Sequence, residues 1–364
     1  MTRPKLRDDL VALEGYHSPQ VDVAVRLNTN ESPFPPPPEF VEEWRSRVAH
    51  VEFNRYPDRE AQALRAALGE YLGQPPARLF CANGSNEVLQ TLLLAYGGPG
   101  RRAAVFEPSY ELHAHIARIT GTGLVTGERA RDFRLEPAHA ARLVRDEAPD
   151  VVFLTTPNNP TGLVEPRETV EALLAAVAAN GAGLVVVDEA YAEFAPWSAL
   201  ELVSEDLPLV VVRTYSKVWS MAALRLGFGV GPAGLVDDLM KIVLPYHLSV
   251  PTQLAGEIAV AYRSERDARV AAIVSERERV CAALSGMDGV EVFPSGANFV
   301  LFRPVMQDGH AVWEGLLRAG VLVRDFSRWP RLGGCLRVTI GRPEENDAFL
   351  TALTEVLGRK EVLA

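Results

Sequence analysis

RTYSKVWSMAALRLGFGV, residues 213–230, carries one lysine in a polar loop between two apolar runs. Lys217 lies just beyond LVVVR (209–213), and Arg225 immediately precedes LGFGV (226–230). Lysine is normally exposed, because taking its ammonium out of water without a partner is strongly unfavourable. Three settings suit such a residue: a solvated strand-to-helix loop, an anion site, or a Schiff base with an aldehyde. The neighbours decide among them.

Outward from this stretch, the segment from Phe80 to Val230 repeats apolar strand, polar turn and helix. The expected strands are AAVFE (103–107), VVFLT (151–155), GLVVVD (183–188), LVVVR and LGFGV, with helices at 86–96 and 166–180 among those between them. Continuous Val/Leu runs, rather than alternating ones, are what a mostly parallel sheet covered on both faces requires. The texture changes after about residue 265. A long amphipathic helix (264–287) is followed by strands at 290–293, 298–303, 321–325 and 335–340 and helices at 308–319 and 343–358. The fold class is therefore α/β, with a mostly parallel central sheet in a large domain and a smaller α+β domain. The expected divisions are an N-terminal arm over 1–35, an N-terminal part of the small domain over 36–54, the large domain over 55–265 and the small domain over 266–364. The arm is proline-rich after a single strand-like run at 21–27. RYPDREAQALRAALGEYLG (55–73) reads as a turn, an Asp58 cap and an amphipathic helix stopped by Gly73.

The formal charge of −10 gives a nucleic-acid partner no electrostatic support. Basic residues are mostly Arg; the lysines are Lys5, Lys217, Lys241 and Lys360, which makes a lysine in a polar cluster stand out. The three cysteines (Cys81, Cys281, Cys335) form no CxxC pair, so neither a disulfide framework nor a zinc site is expected. The seven histidines show no metal-ligand spacing beyond His113 and His115, which read as helix surface. No apolar run approaches the roughly 20 residues of a membrane-spanning helix, and the first residues lack an apolar leader core. A cytoplasmic enzyme with no membrane partner is the expectation.

In open α/β sheets ligands lie outside the carboxyl ends of the strands. Pro108-Ser109-Tyr110 follows the 103–107 run, TPNNPTG (156–162) the next, Asp188-Glu189-Ala190-Tyr191 the third, and Thr214, Ser216 and Lys217 the fourth. NGSNE (83–87) begins a helix, where open N–H groups favour an anion, though most Gly-Ser helix starts are only caps. Asp188, at the mouth of an apolar run, needs a cationic or proton-donating partner. Either an arginine or a protonated ring nitrogen supplies it. Arg225 offers a guanidinium for bidentate phosphate binding. Tyr110 either lies flat against a ring or packs its own helix. Together these residues suit a flat heteroaromatic with an aldehyde, a ring nitrogen and a phosphate: pyridoxal 5′-phosphate.

With LNTNESPF (27–34), NRYPD (54–58), ANGSNEVLQ (82–90), PNNPTG (157–162), VVDEAY (186–191), RTYSK (213–217), RLGFG (225–229), ANFVLF (297–302) and LRVTIGRPEEN (336–346), the chain resembles the pyridoxal-phosphate enzymes of the aspartate aminotransferase fold type, fold type I. Within them it is most similar to the histidinol-phosphate aminotransferases. Each motif alone is weak; the ordered set spans nearly the whole chain.

The resemblance implies roles by position. Lys217 would hold the cofactor and move the substrate proton. Asp188 would pair with the ring nitrogen, while Asn159 and Tyr191 would bond the ring's 3′ oxygen. Tyr110 would stack on the ring. Ser85, Asn86, Thr214, Ser216 and Arg225 would receive the phosphate, with the partner subunit's Tyr56, so that a homodimer completes the site. Arg337 would bind the substrate's acidic group, with Tyr16, Asn30 and Asn159 beside the substrate. Arg324 either joins Arg337 or pairs at the surface with Asp325 or Glu344. Cys81 and Cys335 read as packing residues. The sequence departs from the family at two places in the arm: NESP (30–33) replaces NENP, with Ser32 for Asn, and GYHSPQ (15–20) stands where family members often show a proline-tyrosine pair.

The reaction implied is amino transfer between histidinol phosphate and 2-oxoglutarate. The rivals are an aromatic amino-acid aminotransferase, a decarboxylase of an amino-acid phosphate, a nucleotide-binding oxidoreductase and a non-catalytic regulator. NGSNE is not the GxGxxG of the oxidoreductases, and neither end of the chain has room for the DNA-binding segment expected of a regulator.

Overall fold

The computed structural model of the chain describes residues 4–11, 13, 15 and 21–358. Its first elements are β1 (Val25–Leu27), α1 (Pro38–Val48) and α2 (Gln62–Leu72). Strands and helices then alternate: β2 (Leu79–Ala82), α3 (Ser85–Tyr96), β3 (Arg102–Glu107), α4 (Glu111–Thr120), β4 (Gly123–Glu128), α5 (Pro137–Glu147), β5 (Val151–Thr155), α6 (Arg167–Ala179) and β6 (Leu184–Asp188). β7 (Leu209–Thr214) and β8 (Gly227–Val230) complete this part. The remainder is α7 (Ala233–Ile242), α8 (Val250–Ala259), α9 (Arg263–Ser285), β9 (Val290–Val292), β10 (Phe299–Pro304), α10 (Gly309–Arg318), β11 (Val321–Asp325), β12 (Leu336–Thr339) and α11 (Pro343–Gly358).

The first sheet has seven strands in the order β2-β8-β7-β6-β5-β3-β4. β4, β3, β5, β6 and β7 are parallel, and β8 runs against both β7 and β2. The apolar runs are continuous because both faces are covered. Ala104, Phe106, Val152, Leu154, Val185 and Val187 enter one apolar cluster, while Ala103, Val105, Val151, Phe153 and Val186 enter another. Alternate residues of one strand thus serve opposite layers.

Two strands of this sheet were not among those expected. β2 has only four residues, and β4 at the sheet edge alternates exposed and buried positions instead of forming an apolar run. The second sheet has the order β1-β11-β12-β10-β9. β1, in the expected arm, is its edge strand and pairs in parallel with β11, Val25 opposite Val321. The arm is therefore stitched into the smaller sheet, and this carries residues 28–32 over the end of the larger one. α2 begins one turn past its expected cap. The Asp58 carboxylate accepts from the N–H of Glu60 at 2.9 Å and of Gln62 at 2.7 Å, and Ala61 makes the entry with φ 48°. Gly73 closes the helix at φ 65°, as expected of a left-handed C-cap. Among the described residues no helix is long and apolar enough to cross a membrane.

Candidate active site

Thr155, Asp188 and Val212 stand side by side in register, and Gly227 pairs with both Ala82 and Thr214. The loops leaving β2, β3, β5, β6 and β7 and the loop entering β8 therefore open on one rim. A cavity of about 320 Å³ lies there, roofed by residues 29–31 and by β11 and β12.

At one end of the cavity α3 starts against the loop into β8. Gly84 holds φ 81°, and a Cβ there would lie 2.8 Å from Arg225 Nη2. A Cβ at Gly227 would lie 2.2 Å from the Ser85 nitrogen. Two positions without side chains thus let the helix start, the strand and the guanidinium converge. Arg225 Nη1 donates to Ser216 Oγ at 3.4 Å and to the Ala222 carbonyl at 3.1 Å. Thr214 Oγ1 donates to Ser216 Oγ at 3.0 Å. Ser85 and Asn86 line the same end. First-turn N–H groups, hydroxyls and a guanidinium are donors of the kind that suit a phosphate.

In the middle, Asp188 is 2% exposed. Its Oδ1 accepts from the Ala190 N–H at 3.1 Å, and its Oδ2 lies 3.0 Å from His113 Nε2. His113 is 1% exposed, stacked on Phe153 with centroids 4.7 Å apart and set edge-on to Tyr110. The expectation that His113 and His115 are helix surface is therefore corrected. His113 sits on the face of α4 that packs on the sheet, and His115 is half-buried. Tyr110 donates to Asn86 Oδ1 at 3.3 Å.

Lys217 Nζ donates to the Thr29 carbonyl at 3.0 Å and lies 5.7 Å from the centre of the Tyr191 ring. Burial pulls its pKa down to about 7, with Arg337 and Arg225 adding to the shift and Glu31 opposing it. The amine thus gives up its proton around pH 7, where an ordinary lysine is an ammonium.

At the far end Arg324 and Arg337 face each other across the β11–β12 ladder, 8% and 6% exposed. Arg337 donates to Asn159 Oδ1 and, at 3.0 Å, to the Asn28 carbonyl. Its guanidinium lies over Phe299 and Phe326, and that of Arg324 over Phe326 and Trp329. Of the two settings open to Arg324, the structure gives the cavity: Asp325 is held by His310 at 2.7 Å, and Glu344 is exposed.

Asn30, Ser85, Asn86, Tyr110, Asn159, Asp188, Tyr191, Thr214, Ser216, Lys217, Arg225, Arg324 and Arg337 all line this one cavity. Tyr56 does not: it is 80% exposed and stacked on Tyr246 with centroids 4.5 Å apart. Tyr16 lies outside the described residues. Reading residue types missed His113, Phe326, Trp329 and the Thr29 carbonyl. Cys81 is buried and its thiol is pushed up to about 12, which suits packing rather than attack. Among the described residues no group of three or more His, Cys, Asp or Glu is placed to hold a metal ion.

Converging hydroxyl, guanidinium and helix-start donors, a buried carboxylate and an amine with a lowered pKa surround one cavity, and this set fits pyridoxal 5′-phosphate. The chain also matches the model of the family "Aminotransferase class I and II" over residues 22–353. It is 48% identical over 364 residues to a histidinol-phosphate aminotransferase of Frankia casuarinae, covering 97% of this chain and 90% of that protein. With the histidinol-phosphate aminotransferase of Thermobifida fusca it shares 46% over 363 residues, covering 97% and 96%. Among solved structures, histidinol-phosphate aminotransferase from Sinorhizobium meliloti in complex with pyridoxal-5′-phosphate superposes with a TM-score of 0.87 at 26% identity, covering 97% of each chain. The chain belongs to the class I and II aminotransferases, the fold type I enzymes that work with pyridoxal 5′-phosphate.

Proposed function

We propose that the chain transfers an amino group reversibly between L-histidinol phosphate and 2-oxoglutarate, giving imidazole-acetol phosphate and L-glutamate, as a cytoplasmic homodimer. The observation that carries this reading is the pair of buried guanidiniums, Arg324 and Arg337, side by side at the end of the cavity away from Arg225. A phosphate ester presents more negative charge than a carboxylate, and two adjacent guanidiniums serve either group. The near full-length similarity to histidinol-phosphate aminotransferases points the same way.

Bound pyridoxal phosphate supplies an electron sink for the charge left when the substrate's Cα proton departs. This chain's residues do the rest. Ser85, Asn86, Thr214, Ser216 and Arg225 hold the phosphate, with the partner subunit's Tyr56 completing the cradle. Asp188, backed by His113, keeps a proton on the ring nitrogen. Asn159 and Tyr191 would bond the ring's 3′ oxygen, and Tyr110 would cover one face of the ring. Lys217, its pKa lowered to about 7, takes the proton from the substrate Cα with its Nζ. Arg337 and Arg324 fix the acidic end, so that this Cα–H points at the amine. Asn30 and Tyr16 are assigned to the substrate side.

The test compares kcat/KM for L-histidinol phosphate and phenylalanine with 2-oxoglutarate as acceptor, and follows CO₂ release from threonine phosphate. Histidinol phosphate should lead phenylalanine by about 10–100-fold, the factor that one additional charge-assisted hydrogen bond of about 1.5–3 kcal/mol supplies. Equal rates would point to an aromatic amino-acid aminotransferase. CO₂ release without an oxo acid would point to a decarboxylase.

A further inference from the structure

Residues 28–30 form a strap between the two sheets. The Asn28 carbonyl accepts from Arg337, and the Thr29 carbonyl from Lys217. Asn30 is 1% exposed and has φ 56°, a left-handed conformation that Asn tolerates better than most residues. Its carbonyl accepts from Asn298 Nδ2 at 3.1 Å. Its backbone N–H donates to Thr339 Oγ1 at 3.0 Å, while the Thr339 hydroxyl donates to Asn30 Oδ1 at 3.0 Å. In this exchange the amide oxygen faces Thr339 and the amide nitrogen faces Tyr191. Asn30 Nδ2 then donates to the Tyr191 hydroxyl at 2.9 Å.

We infer that Asn30 is a positioning residue, which makes the Tyr191 hydroxyl an acceptor on the strap side and so sends its proton toward the cavity as a donor. The polarity runs in one direction along the chain of bonds. Thr339 O–H points to Asn30 Oδ1 and the Asn30 Nδ2–H to the Tyr191 oxygen, and the Tyr191 O–H would point to the ring's 3′ oxygen. A hydroxyl left to rotate would divide its time between donating and accepting. Buried bonds aligned in one direction also polarise one another. Thr339 lies two residues from Arg337 on the same face of β12, so the strap ties the acid-binding side of the site to the ring side.

The inference rests on the assignment of Tyr191 to the 3′ oxygen, so the experiment tests that assignment separately. The readout is the pH midpoint of the visible absorbance change of holo-protein without substrate, which needs no turnover. The charged groups facing the lysine in this titration are Arg337 from β12, Arg225 from the loop before β8 and Glu31 from the strap. Losing a donor to the 3′ oxygen makes the ring system more basic and raises the midpoint.

Tyr191→Phe should raise it by about one pH unit; no shift there overturns the assignment of Tyr191. Asn30→Asp keeps shape and backbone but replaces the donor with acceptors, so the Tyr191 proton turns away from the cavity. Its midpoint should rise like that of Tyr191→Phe. The double variant should shift little further, because both changes remove the same donor. Thr339→Val, which adds no charge and frees the amide to rotate, should shift the midpoint in the same direction by less. If Tyr191→Phe shifts the midpoint while Thr339→Val does not, or if Asn30→Asp adds its full shift on top of Tyr191→Phe, Asn30 acts only through charge or packing and the inference is overturned.

Discussion

The two ends of the cavity are built differently. The cofactor end comes from one sheet, with each contributing group within a few residues of a strand end: Ser85 after β2, Asp188 and Tyr191 at the end of β6, Thr214 to Lys217 after β7, Arg225 before β8. The acid end is assembled from parts far apart in the chain. Arg324 and Arg337 come from the second sheet, their aromatic supports from β10 and the loop after β11, and the carbonyl that holds Arg337 from the arm. One sheet gives a rigid frame for what every turnover needs. A composite of arm and second sheet is where substrate preference can differ between relatives while the frame stays the same. Changes at the first end should therefore depress both half-reactions alike, and changes at the second should split the substrates.

The largest effect falls on Lys217. Lys217→Ala should lower the single-turnover rate by about 10⁴-fold or more with either amino donor, from loss of both base and covalent roles. A loss confined to one donor would break the comparison. Asp188→Asn should reduce kcat by about 10²–10³-fold for both donors, the range found on removing a preorganised electrostatic contact. His113→Phe keeps a ring against Phe153 while removing the Nε2 contact, so its effect should be smaller and equally indifferent to donor. Arg324→Ala should lower kcat/KM for histidinol phosphate by about 10–100-fold, in line with a charge-assisted hydrogen bond of about 1.5–3 kcal/mol. Its effect on glutamate should be smaller. Equal losses with both substrates would leave Arg324 a structural residue.

A further effect is in stability rather than rate, and it carries a sign. Lys217 has a folded-state pKa of about 7, below that of an unfolded lysine, so the unfolded chain binds more protons between the two values. The wild-type apo-protein should therefore gain stability from this group as pH rises from about 7 toward about 10.4. Lys217→Met should unfold at a higher temperature than wild type at pH 6.5, and the gap should narrow by about pH 10. A gap that widens with pH would mean that the amine is not depressed in the folded state.

The same contrast explains what was legible in the sequence. The continuous runs at 151–155, 184–188 and 209–214 announce strands covered on both faces, and the polar residues that follow them mark the rim. β4 was not legible because an edge strand with alternating exposure resembles a loop-flanked amphipathic segment. β2 was missed because four residues are too short for a period. At the cofactor end the groups could be read because each is tethered to a strand end. His113 was lost because nothing in a helix shows which side packs on the sheet until the register of α4 is known. At the acid end Arg324 stood open between a surface pair and the cavity, since that choice depends on β11 pairing with β12 and on His310 holding Asp325. The strap was not legible at all. Its bonds to Arg337, Lys217 and Asn298 all run through backbone carbonyls, whose direction residue types do not encode.

The most direct test is chemical trapping. Holo-protein reduced with borohydride and digested should carry a single phosphopyridoxyl group, on the peptide containing Lys217, and the reduced protein should be inactive with both donors. Label on Lys241 or another amine with Lys217 unmodified, or no label in a folded protein supplied with pyridoxal phosphate, would contradict the placement of the catalytic amine between Asp188 and Arg225.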